Sequence, residues 1–301
     1  MTQAVLLASH GSIDDLDDLA AFVSTVRRGH PPPADLLAEL RRRYEAVGGS
    51  PLNAINAAVA RKLAKRLGVP VEWAGRLWKP YVRDVLQKLA TMGVDRVALV
   101  PLAQHSAAVY AAAARSSAEE AHIELAYASN WGQTAALSRA FADRVLDAVG
   151  SEPSPEPTTV VMTAHSLPRS VIDAGDCYDR EVRASAAAIA ELVGSTTQRN
   201  VRFEVAFQSQ GLAGAGGATP WLGPDIPTTL DAVQARGDRR VVFAPIGFLA
   251  DHVEVLYDLD VEARAMAVDR GLVYARARSL NSDDDFIEVL AGVSLPLLLH
   301  G

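Results

Sequence analysis

Cysteine is almost absent from this sequence: among 301 residues only Cys177 is present. No disulfide can close within the chain, and no cysteine-ligated iron–sulfur cluster can be held. A single thiol fits a reducing compartment, so a cytoplasmic location is expected. Hydrophobic residues make up 49% of the chain, yet no apolar run reaches the length of a bilayer span. A soluble protein without a transmembrane segment is therefore expected. The opening Met1-Thr2-Gln3, followed at once by the apolar run 4–8, has neither a charged n-region nor a cleavage site. It is read as a strand and not as a signal peptide.

Other absences remove whole function classes. Basic residues do not dominate: the net charge is −7, which argues against a nucleic-acid binder. The basic run Arg41-Arg42-Arg43 sits in a helical pattern with Glu39 and Glu45 and reads as a solvated face. No Gly-x-Gly-x-x-Gly or Walker-type loop follows a strand, and the glycine run 211–217 lacks phosphate-binding spacing, so a nucleotide cofactor is not expected. No Gly-x-Ser-x-Gly elbow occurs, which excludes the common serine-hydrolase arrangement.

What the chain does contain is alternation. β-rich runs at 4–8, 71–77, 96–101, 123–126, 160–164, 203–208, 241–245 and 272–275 are separated by helical patterns at 36–47, 52–67, 81–92, 135–149, 181–193 and 253–270. Strands alternating with helices imply βαβ units and parallel sheets. The stretch 151–157, with three prolines and two glutamates, reads as a linker. The expected architecture is α/β: two similar doubly wound, Rossmann-like lobes, at 1–150 and 158–283, with a terminal helix at 284–301 packing back on the body. A bilobal solute-binding protein would share this plan, but would need the signal peptide that the opening lacks.

The two halves repeat one another. Each opens with a strand running into a histidine, Ser9-His10-Gly11 in one and Ala164-His165-Ser166 in the other. Trp78-Lys79-Pro80 is answered by Trp221-Leu222-Gly223-Pro224, and in each half the next strand-ending proline, Pro101 or Pro245, lies 21 positions after that motif's proline. His105 and His252 follow shortly after. Ligands of open α/β sheets sit beyond the carboxyl ends of the strands. His10, His105, His165 and the 252–254 segment are therefore expected to line one cleft between the lobes.

Two features of these residues have chemical content. Imidazole at a strand end can ligate iron, zinc or cobalt, and near neutral pH it can accept a proton. Glu254, Asp258 and Glu262 recur every four residues, which lines carboxylates along one face of a helix. Such a line could deliver a divalent cation as hard oxygen ligands, or could be an acidic solvent face. Spacing alone leaves both readings open.

Four ordered blocks resemble the ferrochelatase family over nearly the whole chain. They are Arg43-Tyr44-Glu45-Ala46-Val47-Gly48-Gly49-Ser50-Pro51-Leu52, Thr163-Ala164-His165-Ser166-Leu167-Pro168, the pair Phe207-Gln208-Ser209-Gln210-Gly211 and Trp221-Leu222-Gly223-Pro224-Asp225, and the run from Pro245 through His252 and Glu254 to Asp258. The resemblance implies a chelatase-like fold and an enzyme that inserts Fe²⁺ into a porphyrin. It implies a catalytic and metal-binding role for His165 and Glu254, and with that role the four-residue spacing makes Asp258 and Glu262 the expected metal-delivery ladder. The wider similarity is to members acting on coproporphyrin III, which makes Arg27, Arg43, Tyr44, Ser50 and Trp131 the expected porphyrin contacts. Trp131 stands where such members tend to have tyrosine.

His10 departs from the pattern. Those members place a tyrosine immediately before the glycine equivalent to Gly11, where it can coordinate the product iron. Ala8-Ser9-His10-Gly11-Ser12 resembles instead the opening of small sirohydrochlorin chelatases, in which that histidine is a metal ligand. His10 is thus a third candidate metal ligand. Protoporphyrin IX insertion, sirohydrochlorin or cobalt chemistry, and a non-catalytic haem carrier stay open as alternatives. No cofactor beyond the Fe²⁺ substrate is expected. The partners are porphyrin and divalent metal, with transient contact to porphyrin-supplying and haem-accepting enzymes, and the protein is expected to be a monomer.

Overall fold

The computed structural model describes residues 2–151, 156–210 and 220–299. Part of the expected linker and the glycine run 211–217 lie outside them. Eight strands are present among the described residues: β1 (Gln3–Ser9), β2 (Val71–Gly75), β3 (Arg96–Pro101), β4 (Glu124–Tyr127), β5 (Thr158–His165), β6 (Val201–Gln208), β7 (Arg240–Ala244) and β8 (Val273–Arg276). They form two parallel sheets of four, ordered β2-β1-β3-β4 and β6-β5-β7-β8. The two orders are the same permutation, so the repeat seen in the sequence is a repeat of topology. The expected α/β class with two similar parallel-sheet units holds.

The strand sequences explain their places. In the sheet interiors β1 and β3 are mostly apolar and β1, β3 and β5 are almost continuously buried, as strands covered on both faces must be. The last strands, β4 and β8, are short and partly exposed, which limits the unpaired edge each presents. Leu6 and Leu99 pack with Leu86 and Leu89 of helix Val82–Thr91, and Val241 and Phe243 pack with Leu230 and Val233 of helix Ile226–Ala235. Burying each such side chain contributes roughly 1.5–3 kcal/mol.

Compactness divides the chain into Met1–Trp131 with Asn281–Gly301, and Gly132–Leu280. This differs from the boundary at residue 150 read from the proline-rich stretch. Helix Ala135–Val149 packs against helix Tyr178–Thr196 and against β7, and Arg240 donates to the carbonyls of Ala148 and Val149 at its end. Its buried face, including Leu137, Phe141 and Val145, therefore belongs to the second unit. Helix Asp284–Leu299 packs on β1, β3 and helix Leu52–Leu67 of the first unit, with Lys62 paired to Asp284 and Arg66 to Glu288.

The repeated tryptophan motifs occupy equivalent corners. Gly75 N donates to Pro80 O and Phe207 N to Pro224 O, each over 2.8 Å, and both prolines follow cis peptide bonds. Among the described residues no helix is long and apolar enough to cross a membrane.

Candidate active site

The second unit brings His165 and Glu254 together. His165 is the last residue of β5, where its side chain leaves the sheet at the carboxyl end. The loop after β7 passes close over this end: a Cβ on Gly247 would lie 2.5 Å from Ala164 Cβ, so only glycine lets the two backbones approach. Tyr178 O–H donates to the His165 carbonyl over 2.9 Å and fixes the strand end. Burial pushes the Tyr178 phenol well above its ordinary range, so it stays a donor. His165 Nδ1 is 2.5 Å from the Ser166 carbonyl. A carbonyl only accepts, so Nδ1 bears a hydrogen and Nε2 is the ring nitrogen left to face the site.

That Nε2 lies 3.7 Å from Glu254 Oε2. His252, which precedes the short helix Val253–Val255, repeats the arrangement. Its Nδ1 is 3.1 Å from the Ala250 carbonyl, and its Nε2 is 3.9 Å from the same Glu254 oxygen. One carboxylate thus faces two imidazole nitrogens whose tautomers are set by backbone carbonyls. Sequence spacing singled out the 252–254 segment without giving His252 this role. The signal available was its match to His105 in the repeat. In the first unit, however, His105 is buried and only 3% exposed.

Beyond Glu254 the helix changes type. Residues Leu256–Ala263 form a π-helix, followed by the α-helical Arg264–Asp269, where the sequence pattern predicts one α-helix over 253–270. Single π segments are rare and concentrate at functional sites. Asp258 is not on a solvent face: it is 5% exposed and accepts from Ser209 Oγ over 2.5 Å and Gln208 Nε2 over 3.3 Å. Glu262 is half-buried. The three carboxylates therefore run from a reachable position inward and along the helix, and the acidic-surface reading fails at Asp258.

The other candidates belong to the first unit. His10 follows β1, is exposed, and meets the Phe22 ring edge-on at 6.4 Å. Gly11 has φ +91°, and a Cβ there would sit 2.9 Å from the Trp78 backbone nitrogen, which holds the turn to glycine. Asn53 donates to the Ser12 carbonyl over 2.8 Å, and Asn56 to Ser9 Oγ over 3.0 Å, anchoring both sides of His10. Tyr44 is buried with its hydroxyl 3.5 Å from Ser12 Oγ. Arg43 pairs with Glu39 over 2.7 Å, and the two guanidiniums of Arg42 and Arg43 hold the Glu39 carboxyl down to about 2. Arg41 and Arg42 are exposed, whereas Arg43 and Arg27 are half-buried. Ser50 Oγ is buried and finds no hydrogen-bond partner among the described residues. Trp131 is buried, and its indole N–H donates to the Pro101 carbonyl over 2.9 Å, so the ring serves the core of its unit.

A strand-end histidine facing a glutamate beside a π-helix, on a duplicated parallel-sheet plan, coincides with a match of residues 2–295 to the family described as Ferrochelatase. The chain belongs to the ferrochelatase family. A curated ferrochelatase of Acidobacterium capsulatum is 33% identical, covering 96% of this chain and 92% of the relative. A coproporphyrin III ferrochelatase of Anoxybacillus flavithermus is 32% identical, covering 97% and 95%. Among solved structures, SirB from Bacillus subtilis with Fe³⁺ aligns over 99% of this chain and 96% of its own, with a TM-score of 0.61 and 14% identity. At that identity the likeness concerns the fold. The ferrochelatases are metal-inserting enzymes, and this chain is one of them.

Proposed function

We propose that this ferrochelatase inserts Fe²⁺ into coproporphyrin III, with His165 and Glu254 as the catalytic pair. The observation that carries the reading is the 3.7 Å approach of His165 Nε2 to Glu254 Oε2, with both side chains about one-third exposed and reachable by a ligand. Metal insertion exchanges two pyrrole N–H protons for one Fe²⁺. His165, its Nδ1–H committed to Ser166, offers Nε2 to the first proton, as an imidazole near neutral pH does efficiently. The imidazolium so formed is balanced by Glu254, which relays the proton to solvent and frees Nε2 for the second. Asp258 and Glu262 extend the carboxylate line from Glu254, a route of hard oxygen ligands for the incoming cation.

Coproporphyrin carries four carboxylates. Arg27 and Arg43, both half-buried, suit propionate pairing, where a planar guanidinium can bind two oxygens at once. Ser50 has a hydroxyl to offer, and Tyr44 stands beside Arg43. The segment over 13–30 supports a water-soluble substrate: Asp14, Asp15, Asp17 and Arg28 are exposed, and Asp18 pairs with Lys79 over 3.0 Å. Pressing such charges against lipid to collect a membrane-held porphyrin would cost several kcal/mol.

The test is anaerobic incubation of the protein with Fe²⁺ and either coproporphyrin III or protoporphyrin IX, followed by the haem spectrum. A kcat/KM higher for coproporphyrin is expected. A preference for protoporphyrin would overturn the substrate, and haem binding without turnover would overturn the activity. Co²⁺ with sirohydrochlorin, run beside them, should be the poorer pair.

A further inference from the structure

The segment from Asp251 to Asp260 carries His252, Glu254 and Asp258, yet little of it is regular α-helix. It comprises a loop, a three-residue α-turn and the first part of the π-helix. Such a segment lacks a continuous α-helical ladder to fix Glu254, and π geometry is rare. Both of its ends are held from outside by one side chain. Arg276, the last residue of β8, donates through Nε to Asp260 Oδ1 over 2.8 Å and through Nη1 to Asp251 Oδ1 over 3.1 Å. Ser279 Oγ donates to the same Asp251 oxygen over 2.7 Å. The guanidinium is 14% exposed and the two carboxylates 19% and 27%, so the contacts are shielded from water and salt.

We infer that Arg276 is a positioning residue, a staple that fixes the reach of Glu254 towards His165 by tying both ends of the 251–260 segment to the end of β8. The inference rests on the proposed roles of His165 and Glu254. The chemistry requires a fork: two N–H groups at fixed angles bridge two carboxylates, which a point charge on a flexible stem does not do. Without the cation, Asp251 and Asp260 lose the one side chain that both of them share, and the two ends of the segment are no longer tied to the same point. Asp260 also lies 4.0 Å from the Arg264 guanidinium, but that group is 57% exposed and so a longer, more screened partner than Arg276.

The experiment compares the parent protein with Arg276→Met, Arg276→Lys and Ser279→Ala by amide hydrogen exchange and by Fe²⁺ insertion into coproporphyrin III. In Arg276→Met, exchange should speed up over 251–263 while β5 and β7 keep their protection. Its kcat should fall about 10- to 100-fold, the size expected for a displaced catalytic group, with the porphyrin KM within about twofold. Arg276→Lys should restore less than half of the loss, and Ser279→Ala should resemble the parent more closely than either. Unchanged exchange over 251–263 overturns the staple, as does loss of protection throughout the second unit, which marks a merely structural role. Full rescue by lysine overturns the bridging geometry. If the parent inserts no metal, the catalytic reading falls by itself, and the exchange pattern alone decides whether Arg276 holds the segment.

Discussion

Glu254 Oε2 stands 3.7 Å from His165 Nε2 and 3.9 Å from His252 Nε2, while both imidazoles spend their Nδ1–H on backbone carbonyls. The carboxylate is thus shared by two oriented bases that lie 87 positions apart in sequence (252 − 165) and meet because β5 and β7 are neighbours in the sheet.

His165→Ala and Glu254→Gln should each lower metal insertion by about 10²- to 10⁴-fold, the range for losing a general acid–base group. Neither should change the unfolding free energy by more than about 3 kcal/mol, since both side chains are partly exposed. Turnover within tenfold of the parent in either variant would remove the mechanism.

Asp258 and Ser209 should behave as a coupled pair. Removing the carboxylate charge in Asp258→Asn, or the donor in Ser209→Ala, is expected to cost about 1–3 kcal/mol, and the double variant should cost clearly less than their sum. Urea unfolding of the four proteins measures the coupling. Stabilisation by Asp258→Asn would revive the acidic-surface reading. In kinetics, Asp258→Asn with Glu262→Gln should raise the KM for metal more than that for porphyrin.

His10 should ligate the iron of the haem product as a neutral imidazole. His10→Ala is expected to weaken haem binding, and His10→Tyr to move the spectrum towards the phenolate-ligated type. If product release limits turnover, His10→Ala raises kcat. A haem spectrum in His10→Ala identical to that of the parent would restrict His10 to its turn beside Gly11.

His105 makes stability depend on pH. Burial pulls its imidazole from the ordinary 6.5 down to about 4. Between those values the unfolded chain binds a proton that the folded chain refuses, so stability rises with pH across this window. The stability present above pH 6.5 is lost as the pH falls towards 4, by up to about 3 kcal/mol. In His105→Gln the urea midpoint should change less between about pH 7 and about pH 5 than in the parent. Equal pH dependence in the two proteins would exclude His105 as the source.

The sequence by itself determined the strands and the duplication, and it singled out the candidate pair. Runs such as Ala4-Val5-Leu6-Leu7 and Val160-Val161-Met162, short and set between helical patterns, read as interior parallel strands, whose side chains are covered on both faces. Helices 52–67 and 135–149 are legible from their periodicity, and His165 and Glu254 from the motifs around them. The tertiary structure decided what depends on contacts distant in sequence. Helix Ala135–Val149 joins the second unit because its apolar face finds helix Tyr178–Thr196 there, although the proline-rich stretch follows it. Residues 253–270 have the pattern of one α-helix. Their central turns are π, and within them Leu259 O accepts from Tyr274 O–H over 2.7 Å while Asp258 is drawn inward by Ser209. Carboxylates four residues apart look the same on a solvated face and in a buried line. Only the partners brought by β6 and the residue after it, Gln208 and Ser209, distinguish them, because burial and hydrogen bonding are properties of the packed chain and not of spacing.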